Sequence, residues 1–289
     1  MRNAIVMSAL AVLVAGGAMT GQQKPAPQTQ APAQPAAPKG PTPKSPEEGA
    51  AVQALTQSIT PDAAIAAADD FIAKYPSSDF KALAYLVKAQ SLQQKKDYAN
   101  MVVAGESALE SNPDDGTKVQ ALLLLARSIA SKAKENDFDL QEELAKAEKY
   151  ANSALDMVKT MPKPNPALSD AQWDAAKGDL AGQAHEALGM DQMARKNYPK
   201  AAAEFQSAID AGDSDPTVVL RLALAYDRAG KYDDALAACD KLLAIPTLGP
   251  GLKATTERER AHLQKMKNPA AAAAPAPSPT AAPLPTAKP

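Results

Sequence analysis

Residues 194–205, ARKNYPKAAAEF, and residues 228–239, RAGKYDDALAAC, state one local pattern twice, 34 residues apart. Followed outward, Leu188 falls on Leu222, Gly189 on Ala223, Tyr198 on Tyr232, Ala201 on Ala235 and Phe205 on Cys239. A fixed period of this length marks a supersecondary unit stacked on its own copies, since one such unit cannot bury its apolar face alone. The chain is thereby confined to repeat architectures.

The repeated unit reads as helical. Aromatic residues are only 4% of the chain while Ala-rich runs recur, which suits helices packed closely on small side chains and predicts an all-α fold. Helix starts are marked by a cap followed by proline or a reciprocating side chain: Ser45 with Pro46 and Glu48, Thr60 with Pro61, Ser169 with Gln172, and Asp215 with Pro216. The Ser45–Glu48 spacing predicts a capping box. Residues 45–267 therefore read as successive helices.

Leu188, Gly189, Tyr198, Ala201, Phe205 and Ala208 in the unit 182–215, and Leu222, Tyr226, Gly230, Tyr232 and Ala235 in the next, carry a specific pattern. On these residues the chain resembles the tetratricopeptide repeat family, whose units place Leu-Gly and Tyr on a first helix and Ala, Phe and Pro on a second. The resemblance implies an α-solenoid of about four helical hairpins over residues 47–267, with a partial fifth on the N-terminal side. Small residues at Gly189 and Ala201 would let paired helices approach, and Tyr198 and Phe205 would fill the space between pairs.

Two earlier units follow the scheme more loosely. Residues 82–115 place Tyr85, Ala89, Tyr98, Ala108, Leu109 and Pro113 in matching slots, with Lys88 where leucine is expected. The unit from Gly116 places Val119, Leu122 and Leu123 on its first helix, but Ala147, Ala151, Ala154 and Leu155 arrive late, and the excess lies in SKAKENDFDLQEE, residues 131–143. A longer hairpin or a loop on one face would absorb it. Upstream, Phe71, Tyr75 and Pro76 are similar to a second helix ending in Tyr-Pro, as found in repeat proteins of bacterial envelope assembly.

The resemblance also implies a binding groove on the first-helix face, here Gln183, Glu186, Met190, Met193, Thr217, Leu220, Leu224, Asp227 and Arg228. The mixture is apolar with a polar rim, and Met190 and Met193 beside Leu220 and Leu224 would accept an apolar partner segment, oriented by Asp227 and Arg228. The Lys and Asn with which some family members clamp a C-terminal carboxylate are missing from the matching slots. A register slip of one position would instead pack Leu220 and Leu224 against the neighbouring unit, and both placements remain open at this level.

No constellation for catalysis stands out. The two histidines, His185 and His262, have no metal-ligand partners at suitable spacing, and His185 occupies a slot where the family often has Trp, so packing is expected. Glu135, Asp137, Asp139, Glu142 and Glu143 lack the central glycine and ligand order of an EF-hand and read as a solvated turn. Phosphate loops, nucleophile elbows and HExxH are missing from the sequence. The single cysteine, Cys239, falls at an apolar repeat slot, and Trp173 shares a helical stripe with Ala176 and Leu180, so both are expected to pack. The expectation is a protein that is not an enzyme, with no cofactor and no metal. A net charge of −2 without a basic stripe argues against nucleic acid, and the expected partners are proteins or peptides.

Residues 1–21 carry Arg2, an apolar stretch from Ala4 to Ala15 and small residues up to Gly21, the layout of a signal peptide cut after Ala18 or retained as an anchor. No cysteine near the cut supports a lipoprotein. Residues 22–46 and 268–289 are rich in Pro and Ala and read as disordered arms, the first reaching roughly 75 Å at about 3.1 Å per residue if extended. Together these features predict an exported, periplasmic or envelope protein acting as a non-catalytic scaffold or adaptor. The alternatives are a structural or self-associating spacer and an accessory subunit of an envelope enzyme or assembly machine. Deleting residues 268–289 is expected to leave the thermal midpoint of the repeat domain unchanged, because such a segment buries little apolar area. A fall of several degrees in a calorimetric scan would show that the arm docks on the repeats.

Overall fold

Capping side chains set where the helices start. The computed structural model describes residues 40–133 and 138–267, and among them are eleven helices and no strands. Ser45 accepts from the Glu48 N–H at the start of α1 (Pro46–Gln57), and Thr60 accepts from the Ala63 N–H at the start of α2 (Pro61–Lys74). There follow α3 (Lys81–Gln94), α4 (Tyr98–Glu110), α5 (Asp115–Lys132) and α6 (Leu140–Thr160). The reciprocal Ser169–Gln172 capping box opens α7 (Asp170–Ala194), which pairs with α8 (Tyr198–Asp210). Asp215 caps α9 (Pro216–Arg228), and α10 (Tyr232–Leu243) and α11 (Pro250–Lys267) complete the series. The signal segment 1–21, most of the linker and the tail 268–289 lie outside the described residues.

Consecutive helices pack antiparallel as five pairs, α1/α2 to α9/α10, and α11 covers the last pair. The region before Ala82, where the sequence pattern suggests a partial fifth unit, contains a complete pair. Its second helix ends as the Tyr75-Pro76 dipeptide suggests: the Tyr75 N–H donates to the Phe71 carbonyl at 2.8 Å, and the two rings lie 5.1 Å apart. Pro250 stands 34 residues after Pro216, so α11 is the first helix of a further unit. It buries only Thr256 and Leu263, and its otherwise polar surface closes that end of the stack, as a terminal repeat requires.

The first cap extends beyond the expected box. Glu48 is buried, and its carboxylate accepts from the Lys44 N–H and from the Ser78 hydroxyl of the next loop, the latter at 2.6 Å. Donation by Ser78, with the Lys44 charge nearby, holds the Glu48 carboxyl below the usual carboxylate range. Lys44 in turn donates its ammonium to the Ser77 carbonyl at 3.0 Å. Lys44, placed in the linker on composition, thus joins the Ser45 cap in the first hairpin, because the loop after α2 supplies it a partner that local spacing cannot reveal.

The late second helix of the third pair resolves as a lengthened hairpin. Helix α5 runs for 18 residues and α6 for 21, with residues 134–137 between them outside the described part. Helix α7 then begins twelve residues ahead of the unit start at Gly182 and reaches 25 residues. Its added turns bury Trp173 and Leu180, while Ala176, expected on the same stripe, is exposed. Leu180 and Ala184 join Val119, Leu122, Ala154 and Val158 in one core cluster.

Close approach between α7 and α8 explains the small residues. A Cβ added at Gly189 would stand 2.5 Å from the Phe205 ring, and one at Gly178 would stand 2.3 Å from the Ala211 carbonyl oxygen. Phe205 and Ala201 are fully buried with Ala208, Val218 and Leu222, so the ring also bridges to the next pair. The turns inside the second, fourth and fifth pairs each hold a left-handed residue: Gly230 has φ 72°, but Lys96 and Lys196 hold φ 61° and 60° in equivalent turns.

Replacing Lys196 by glycine is expected to raise stability by roughly 0.5–1 kcal/mol, by relieving the left-handed strain. Gly178→Ala is expected to lower it by about 1–3 kcal/mol, since a backbone carbonyl cannot rotate away from the added methyl. Urea unfolding of the two variants checks both signs.

Candidate protein-binding face

The first helices α5, α7 and α9 are linked side by side through one carboxylate. Glu186 on α7 has no solvent exposure. Its Oε2 lies 2.8 Å from Nε of Arg127 on α5, and its Oε1 takes Nη1 of Arg221 on α9. Arg127 also donates to the Gln183 side-chain carbonyl at 3.4 Å, and Gln183 donates to Asp179 at 2.8 Å. A carboxylate in this position is tolerable only because two guanidinium groups replace its lost water. Both arginine side chains remain 35% exposed.

The other expected groove residues fall in three settings. Met190 and Met193 are half-buried and lie against the α8/α9 core, Met190 also against the cluster around Leu125, Ile129 and Ala147. Thr217, Leu220 and Leu224 are half-buried on α9, and neither leucine belongs to a core cluster or packs against one. Asp227 is largely covered and faces His262 of α11 at 3.7 Å, while Arg228 is exposed. Glu186 is therefore an interior tie between helices rather than part of an open wall, because Arg127 and Arg221 close over it. Met190 is a core contact for the same geometric reason: it points between α7 and its neighbours.

The repeat-packing residues occupy interior positions. Leu188, Gly189, Ala201, Phe205, Ala208, Leu222 and Ala235 are buried. Tyr226 bridges the two last clusters and Tyr232 lies against the cluster containing Cys239. Tyr198 is half-buried at the start of α8, and Gly230 forms its turn. Burial pushes the Cys239 thiol up to about 11, so it remains protonated and inert near neutrality. His185 donates from Nδ1 to the Glu204 carboxylate of α8 at 2.9 Å. Among the described residues no group of His, Cys, Asp and Glu is arranged to hold a metal. Glu142 and Glu143 pair with Lys146 at 3.3 and 3.1 Å, while Glu135 and Asp137 lie outside the described residues.

A second buried polar group joins α6 to α7. Asp191 is fully buried, and its carboxyl is raised by burial against the opposing pull of Arg195, whose Nε donates to it at 2.8 Å. Arg195 reaches on to Gln141 at 3.1 Å and Glu148 at 3.4 Å. Neither this group nor Arg127 and Arg221 is evident from residue types alone. The 34-residue period did hold one signal: Glu186 and Arg221, opposite in charge and 35 apart, must be lateral neighbours on adjacent first helices.

Residues 186–251 match the family model for the tetratricopeptide repeat. That segment, α8 to α10 with the end of α7, is of the tetratricopeptide repeat type. No curated protein matches the chain. Among solved structures it is similar to a thermophilic tetratricopeptide repeat protein of Thermus thermophilus, at 18% identity over 74% of this chain and 95% of that one, with a TM-score of 0.48. Tetratricopeptide repeats generally serve as protein-interaction modules, and this fold is consistent with an interaction scaffold.

Because Glu186 is shared, Arg127→Met and Arg221→Met are each expected to cost about 1–3 kcal/mol. The double variant should cost more than their sum, since only it leaves a buried carboxylate unpaired. In a Glu186→Gln background the non-additivity should vanish, as read by urea unfolding of the full cycle.

Proposed function

We propose that this protein is a non-catalytic scaffold of the bacterial cell envelope that receives segments of other proteins on the first-helix face around α7 and α9. The observation that carries the reading is the setting of Leu220 and Leu224. Both are apolar and half-buried, yet no core cluster of the described residues uses them, so an apolar segment laid along α9 would remove them from water. The export signal read in residues 1–21 supplies the compartment, and the Pro/Ala-rich arms supply reach without competing for the face. Partner binding rather than chemistry also agrees with the inert, buried cysteine and with histidines engaged in single carboxylate contacts.

The test is crosslinking and mass spectrometry on the tagged protein in a cell envelope, comparing wild type with the Leu220→Glu, Leu224→Glu pair. Met190 is left unchanged because a charge there would enter the core. The expected result is a defined set of envelope proteins captured by wild type and lost from a double variant whose thermal midpoint is preserved. Self-crosslinks alone would favour the spacer reading, and a collapsed midpoint would place the leucines in the core.

A further inference from the structure

We propose that Arg127, Arg221 and Arg228 form an acidic-peptide recognition stripe on the first-helix face, with Leu224 seating an apolar side chain between two partner carboxylates. The proposal rests on the scaffold reading above and names the chemistry of the partner.

Arg127 and Arg221 converge on one carboxylate, Glu186, so the triad keeps a net positive charge. Each guanidinium carries five N–H donors. Arg221 donates Nη1 to Glu186 and Arg127 donates Nη1 to Gln183, while Arg127 Nε stands 2.8 Å from Glu186 as an ion-pair contact. The remaining donor edges belong to side chains 35% exposed, held in place by a buried anion that pre-orients them. Such a fork is suited to a carboxylate, and pre-orientation lowers the entropy cost of binding.

The stripe then continues along α9. Arg228 follows Arg221 by seven residues and Leu224 by four, so the three share one side of the helix. Arg228 is exposed and has no carboxylate within salt-bridge distance among the described residues. Asp227 faces His262 at 3.7 Å and Asp179 accepts from Gln183 at 2.8 Å, while Glu259 of α11 is the carboxylate whose charge Arg228 feels, beyond salt-bridge distance. A partner presenting carboxylates about two helical turns apart, with a leucine-sized side chain between them, complements this arrangement in charge and in polarity. The residues differ from a terminal-carboxylate clamp, and internal acidic side chains of a partner satisfy them.

The experiment titrates the full-length protein into a labelled peptide that alternates glutamate pairs with leucine, and into the same peptide with every glutamate replaced by glutamine, read by fluorescence anisotropy in low salt. The glutamate peptide is expected to bind roughly tenfold more tightly, with the difference shrinking in about 0.5 M salt. Arg228→Gln, on a side chain outside the Glu186 tie, should weaken it about three- to tenfold. Glu186→Gln, which removes the anion that pre-orients Arg127 and Arg221, should weaken it. Leu224→Glu should abolish binding by placing an internal carboxylate between Arg221 and Arg228. Melting curves confirm that each variant is folded. Equal affinity for the two peptides, or insensitivity to both Arg228→Gln and Glu186→Gln, overturns the proposal. If neither peptide binds while envelope capture is still lost on Leu220→Glu, Leu224→Glu, the acidic specificity falls and the scaffold reading stands. If capture is also indifferent to those leucines, both fall.

Discussion

A helix pair whose facing side chains are glycine and alanine has no hydrophobic payload of its own, and the rest of this structure follows from that. The Phe205 ring lies over Gly189 at a distance that leaves no room for a methyl group, and it reaches from there to Val218 and Leu222 of the next pair. The same ring therefore closes one hairpin and joins it to another. Stability in such an arrangement is distributed over neighbour contacts rather than gathered in one core. That is why the apolar clusters form a chain of small groups, each shared by adjacent helices, and why α11 is required as a polar cover at the end of the stack.

Small side chains at the pair interface also shape the surface that remains. Because the second helices and the inner sides of the first helices absorb the available aromatics, the outward side of α5, α7 and α9 is left to long polar and aliphatic side chains. Glu186, Arg127 and Arg221 tie these first helices laterally, adding to the apolar packing of α5 on α7. A buried carboxylate is a costly way to hold helices together, but it fixes spacing and rotation more narrowly than methyl groups do. The positive charge left over and the adjacent leucines give that side its binding character.

Helix positions were legible where a cap and a period coincide. Ser169 with Gln172 and Asp215 with Pro216 mark starts that the backbone adopts, and Leu188, Ala201 and Phe205 lie inside as their spacing requires. Legibility failed where a partner comes from another unit. The Ser45–Glu48 spacing looks like a self-contained box, yet Glu48 turns to Ser78. Glu186 occupies a groove slot, yet two arginines from flanking helices enclose it. Ala176 falls on the predicted stripe of α7, but the added turns of that helix bury Trp173 and Leu180 without it.

The sequence by itself determined the class of fold, the 34-residue unit and the small-residue interface, because these depend on contacts that recur at fixed offsets and so leave a periodic trace. Only the tertiary structure decided which polar residues are interior, that Lys44 belongs to the first hairpin, and that Leu220 and Leu224 stand apart from the core clusters. Those outcomes depend on one residue meeting another across a non-repeating distance, as Arg127 meets Glu186, and a single contact of that kind has no period to betray it.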